Sequence, residues 1–293
     1  MTDQKKAYLF GLSAVLAWST VATAFKLSLS YLSPAQLLLY ASLASLLSLC
    51  GVLAATGKLP LLWPTLRQHW RRSLLLGAVN PFIYYLILFK AYALLPAQEA
   101  QSINYTWALT MTLLAVPLLK QALRLRRYRG STDLLSRGTG YRHAWRIIVP
   151  AFFQHAGRGL CLGFDTVVGY WIANTRDQRD PLVGLTLNFA LSLPLSLVWC
   201  AVTGQLTSVA WQGIAGAAYV GALEMGFTFA LWLTAMKLTR HTASIANLIF
   251  LSPLLSLGLI HLIVGEAILP STLLGLGLIL TGLLIQKCWQ RGR

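Results

Sequence analysis

The 293-residue chain is 56% hydrophobic and only 11% charged, with a mean hydropathy of +0.63, whereas a soluble domain carries about 25% charged residues. This composition excludes a soluble globular domain and requires lipid as solvent. The net charge of +16 does not point to nucleic acid, because the cations lie between apolar runs, where cytoplasmic loops of membrane proteins collect Lys and Arg.

A spanning helix needs about 20 largely apolar residues. Runs at 7–27, 34–56, 73–95, 98–119, 181–203, 211–236, 243–265 and 268–288 meet that length. Lys5-Lys6 and Ala22-Thr23-Ala24 imitate a secretory signal with its cleavage site. Further spans follow at once, so the first run is read as an uncleaved helix. With the N-terminus in the cytoplasm, 18 of the 24 basic residues fall on the inner side, among them Lys5, Lys6, Lys58, Arg67, Arg71, Arg72 and Lys237. Lys26 and Lys90 fall at outer ends. This asymmetry places both termini inside an inner membrane.

Thr242–Glu266 echoes Pro96–Lys120 at an offset of 146 residues: Ala97, Ala100, Ile103, Leu109 and Leu113 meet Ala243, Ala246, Ile249, Leu255 and Leu259. Gln98 and Gln101 fall on Ser244 and Asn247. The loop between 73–95 and 98–119 is uncharged, hence outer. The loop between 211–236 and 243–265 bears Lys237, Arg240 and His241, hence inner. The two copies therefore run in opposite senses, which requires an odd number of helices in each. The expectation is an all-α polytopic membrane bundle, an inverted 5+5 repeat of residues 1–145 and 146–293, with eight clear helices and the fifth and sixth poorly encoded. Residues 123–158 carry eight arginines and no 20-residue apolar run. Three readings stay open there: an interfacial segment, two weak helices inserted with help from neighbours, or a stretch translated out of frame.

Ala17-Trp18-Ser19, the Pro253 to Gly265-Glu266 ending, Gly275-Leu-Gly277-Leu-Ile-Leu-Thr-Gly282, and Tyr170-Trp171 with Asn174-Thr-Arg-Asp177 resemble the drug/metabolite transporter superfamily. Within it the chain resembles EamA-type ten-helix transporters, and among these the YddG-type amino-acid exporters. The resemblance spans about 1–122 and 168–293. It implies a secondary transporter exporting small metabolites, amino acids including aromatic ones, by alternating access. Lys120 departs from it, standing where the first half would often carry the glutamate seen as Glu266.

Glu224 lies mid-run in GALEMGFTFALW. A carboxylate at that depth costs a few kcal/mol, so it faces protein or water. It is the candidate for proton coupling or amine binding; the alternative is a neutral glutamate bonded to a neighbouring helix. Asn80-Pro81 frees a backbone carbonyl in a setting without water. Asn80 and Tyr84 share a face at i, i+4. They either contact substrate or hold a kink. Gln98, Gln101 and Tyr105 share a face of the fourth helix, and Ser244 and Asn247 match the first two in the ninth. Facing amides suit the carboxylate and amine of a zwitterion; packed helices also use amides as polar glue. Trp18 and Trp171 are candidate aromatic walls, whereas Trp232, near the inner end of its run, reads as interfacial belt. Glu266 reads as a structural boundary.

The five histidines show no HExxH or other metal spacing, no GxSxG elbow or phosphate loop occurs, and the four cysteines form no CxxC pair. No enzymatic activity, metal or cofactor is implied. The partners are the lipid bilayer and a small-molecule substrate, with no nucleic acid. The competing expectation is a transport-inactive or frameshifted relative of the same family.

Overall fold

The computed structural model describes residues 2–104, 177–239 and, with short gaps, 245–277. Tyr105, Trp171, Ser244, and the arginine-rich stretch 123–158 lie outside the described residues, as do most of the expected spans 98–119 and 268–288.

The described residues form helices α1 (Asp3–Ser28), α2 (Pro34–Ala55), α3 (Leu59–Leu94), α4 (97–104 described), α5 (Pro181–Val202), α6 (Trp211–Leu238) and α7 (Leu251–Val264). Five of these, α1, α2, α3, α5 and α6, are long and apolar enough to cross a membrane. The protein is a multi-pass membrane helix bundle. One boundary differs from expectation. The third span was expected to begin at 73, yet helical backbone begins at Leu59. The hydropathy window sees only the part that suits hydrocarbon, while a charged helical segment, set off by a break at His69, precedes it.

Side-chain contacts fix the helix directions. The start of α2 lies beside the end of α5, because Gln36 Nε2 donates to Gln205 O (2.9 Å) and to Thr207 Oγ1 (3.1 Å). The ends of α1 and α3 meet where Lys26 Nζ donates to Tyr92 O and Leu95 O (3.1 and 2.8 Å). The start of α6 lies against the end of α1, with Gly216 on Ser28. The start of α4 meets the chain just past α7, where Glu266 accepts from Ala97 N and Gln98 N. Helices α2 and α5, α3 and α6, and α4 and α7 thus run in opposite senses, which is the inversion expected of the repeat.

A closer repeat appears in α2 and α5. Each has 22 residues and a proline at its first position. Proline suits that position because its missing N–H would have no helical partner. Ser33 caps α2 in a box with Gln36, and the Asp180 carboxylate caps α5 by accepting from Leu182 N and Val183 N. Both helices end in Thr-Gly. Thr56 Oγ1 donates to Val52 O and Thr203 Oγ1 to Trp199 O (2.8 and 2.7 Å). Gly57 and Gly204 take φ of +68° and +66°, a left-handed turn that residues with a Cβ resist. The next N–H in each reaches back to close the cap, Lys58 N to Leu53 O and Gln205 N to Cys200 O (both 2.8 Å). One helix design occurs twice, 147 residues apart.

Packing between the copies is close. A Cβ added at Gly221 of α6 would lie 2.1 Å from Ala41 O of α2, and one at Gly77 of α3 would lie 2.4 Å from Asn188 O of α5. In lipid, helices gain little from burying apolar area, so such backbone approach supplies the attraction. Phe25 of α1 packs its ring edge-on against Phe89 and Tyr92 of α3 (5.0 and 5.2 Å between centroids). Helices α3, α6 and α7 each carry a wide π-helical turn, Ala78–Ile83, Val220–Phe227 and Ile260–Val264. Such turns interrupt the regular ladder and frequently accompany functional sites.

Candidate functional site

The mid-membrane polar groups sit on α3 and α6 and on what these two helices face. Glu224 lies about midway along α6, inside its π-helical turn, and is half-buried. Its Oε1 accepts a hydrogen bond from the hydroxyl of Tyr85 on α3 (3.3 Å). Tyr85 is buried just past the π-helical turn of α3 and packs edge-on against Tyr84 (4.8 Å between centroids). The Tyr84 hydroxyl donates to Asn104 Oδ1 on α4 (3.0 Å). One turn earlier on α4, buried Gln101 accepts from Ser256 Oγ of α7 (3.0 Å). The Tyr85–Glu224 and Gln101–Ser256 bonds therefore join the two copies, while Tyr84–Asn104 joins α3 to α4 within the first.

Trp18 and Trp232 form a second contact across the copies, between α1 and α6, with ring centroids 5.4 Å apart and planes inclined by 55°. Trp232 is half-buried and packs with Met236 and Leu238 around Ala7, Ala235 and Ile245, so one side of its ring meets the bundle.

The other expected residues divide. Asn80 sits in the π-helical turn of α3, half-buried, with an extended backbone (φ −143°, ψ 114°) that breaks the helix. Gln98 is buried, and both ends of its amide are held by backbone: Nε2 donates to Ala267 O (2.6 Å) and Oε1 accepts from Leu269 N (3.1 Å). Asn247 opens a short turn, Asn247–Phe250, and its side chain lies outside the described set. Asn104 and Ser256 join the cluster without having been singled out for it. The i, i+3 spacing that selects Gln101 also selects Asn104, so its signal was present but not separable from packing residues.

The bundle ends are closed in two ways. At the end carrying the N-terminus, Asp177 pairs with Arg179 (2.6 Å) and Arg72 (3.7 Å), while Asp180 pairs with Lys58. Arg179 is 3% exposed and also donates to Ser73 of α3 and Asn188 of α5. Burial alone would push both carboxyls up. Arg179, with Arg72, outweighs it at Asp177, and Lys58 with the α5 backbone N–H groups does so at Asp180, holding both below the usual carboxylate range. At the opposite end Glu266 accepts from Ala97 N (2.8 Å) and Gln98 N (3.2 Å), capping α4 from another part of the chain.

The EamA-like transporter family model matches residues 5–132 and 157–286. The chain belongs to the EamA-like transporter family. It is a membrane transporter and not an enzyme. No curated protein and no solved structure matches it. Tyr85 lies in the first matched segment and Glu224 in the second, so the Tyr85–Glu224 bond joins one EamA segment to the other.

Proposed function

We propose that this EamA-family chain exports small metabolites, amino acids including aromatic ones in the manner of YddG-type exporters, by alternating access across an inner membrane with both termini cytoplasmic. Residues 1–145 and 146–293 are the two halves that rock against each other. The observation that carries this reading is the Glu224–Tyr85 bond: a carboxyl group midway through a membrane span, facing the other half of the repeat. Glu224 is the proton-coupling group, and binding substrate and proton in turn at one site links their movement. Trp18 and Trp232 supply an aromatic wall, and Asn80, Tyr84, Gln101 and Asn247 supply polar contacts, with Tyr105, Trp171 and Ser244 completing the set. Gln98 serves the closure beside Glu266.

The test is efflux of labelled aromatic amino acids from vesicles containing the purified chain. Glu224→Gln is expected to abolish the pH dependence of flux and lower its rate at least tenfold. Unchanged flux and pH dependence would remove the coupling role. A second reading, a transport-inactive relative, draws on residues 133–156, which the family match leaves out and which fall in the arginine-rich stretch. Wild-type vesicles that retain substrate under every imposed gradient would favour it.

A further inference from the structure

Residues 58–72 carry four cations, Lys58, Arg67, Arg71 and Arg72, and no carboxylate. That density of charge keeps the first part of α3 out of hydrocarbon and at headgroup level. The non-helical backbone of His69 (φ −127°, ψ 22°) separates it from the apolar remainder. Trp63 and Arg67 are one helical turn apart ahead of the His69 break, Trp70, Arg71 and Leu74 follow it within one turn, and all five are exposed. Trp63 is 65% exposed and Trp70 49%. The Arg67 guanidinium lies 5.9 Å from the Trp63 ring centroid and that of Arg71 lies 5.3 Å from Trp70.

Neither Arg67 nor Arg71 has a carboxylate partner among the described residues, while Lys58, Arg72 and Arg179 are each paired with Asp177 or Asp180. A guanidinium held over an indole keeps its in-plane N–H groups free, and that fork matches two phosphate oxygens.

We propose that the Trp63–Arg67 and Trp70–Arg71 pairs form a binding site for the headgroup of an anionic phospholipid. The occupant is a lipid because this exposed set continues through Leu74 towards the membrane-spanning part of α3. Only a molecule with both a phosphate and an acyl chain meets both ends of it. Indole rings also favour this depth of the bilayer, and juxtamembrane arginines attract anionic lipid.

The experiment is native mass spectrometry of the full chain from micelles containing equal amounts of phosphatidylglycerol and phosphatidylcholine with matched acyl chains. The wild-type protein is expected to retain phosphatidylglycerol preferentially. R67Q/R71Q is expected to lower that preference roughly tenfold or more, and R67K/R71K, which keeps charge but loses the planar fork, to fall between. Equal retention of the two lipids by the wild type, or an unchanged preference in R67Q/R71Q, would overturn the site. Competition on wild-type protein keeps the test decisive should R67Q/R71Q fail to fold. Excess glycerol 3-phosphate is expected to leave the lipid bound, and its displacement would show that phosphate alone suffices and sink the lipid assignment.

Discussion

The two ends of the bundle are tied by different physics. At the basic end the partners are formal charges, Asp177 and Asp180 against Lys58, Arg72 and Arg179. At the opposite end a single charged side chain meets backbone: Lys26 takes carbonyls at the end of α3, and Glu266 takes N–H groups at the start of α4. Helix termini carry unpaired backbone groups and partial charge, so one side chain there does the work of an ion pair. The difference teaches that the basic end depends on having every partner present, whereas the opposite end depends on helix geometry that remains when a side chain is lost.

That contrast can be broken most sharply at Arg179. Arg179→Ala leaves Asp177, 10% exposed, with only the more distant Arg72, and removing one member of a buried pair costs about 3–5 kcal/mol. A large fall in the melting temperature of the detergent-solubilised protein is expected, and a fall no greater than that of the next variant would erase the distinction between the ends. Glu266→Ala removes the acceptor for two α4 N–H groups and should cost about 1–2 kcal/mol, measured the same way. The smallest effect is acid sensitivity. Asp177 and Asp180 bind their protons at lower pH when folded than when unfolded. Where the two values differ, the unfolded chain holds more protons, so stability rises with pH. Their contribution is complete above about pH 4, the ordinary carboxylate value, and is lost as pH falls through the lower folded values. Asp180→Asn should therefore flatten the stability profile below about pH 4 and leave it parallel to wild type above. A parallel profile throughout would show that the Lys58 pair contributes nothing.

The repeat was legible because an inverted pair of copies leaves a charge signature: the loop after 73–95 is uncharged and the loop after 211–236 is basic. Glu224 was legible because a carboxylate amid apolar residues needs a reason. The Thr-Gly endings of α2 and α5 were missed, since such short matches in apolar sequence mean little until their shared φ is seen. Gln98 was read with Gln101 because both share a helical face. Spacing does not reveal that Gln98 sits at the helix start, where backbone claims its amide. The early start of α3 was hidden because hydropathy reports the solvent a segment needs and not the extent of its backbone helix.

The Trp18–Trp232 contact has a consequence of its own. Two indoles this close couple their electronic transitions, and the coupling falls steeply as the rings part. Because one ring sits on each copy, the exciton couplet of the strong indole band in far-ultraviolet circular dichroism becomes an intrinsic gauge of separation, needing no added label. Trp18→Phe removes the signal, and a substrate that shifts it in the wild type alone would be seen to move one half of the protein against the other.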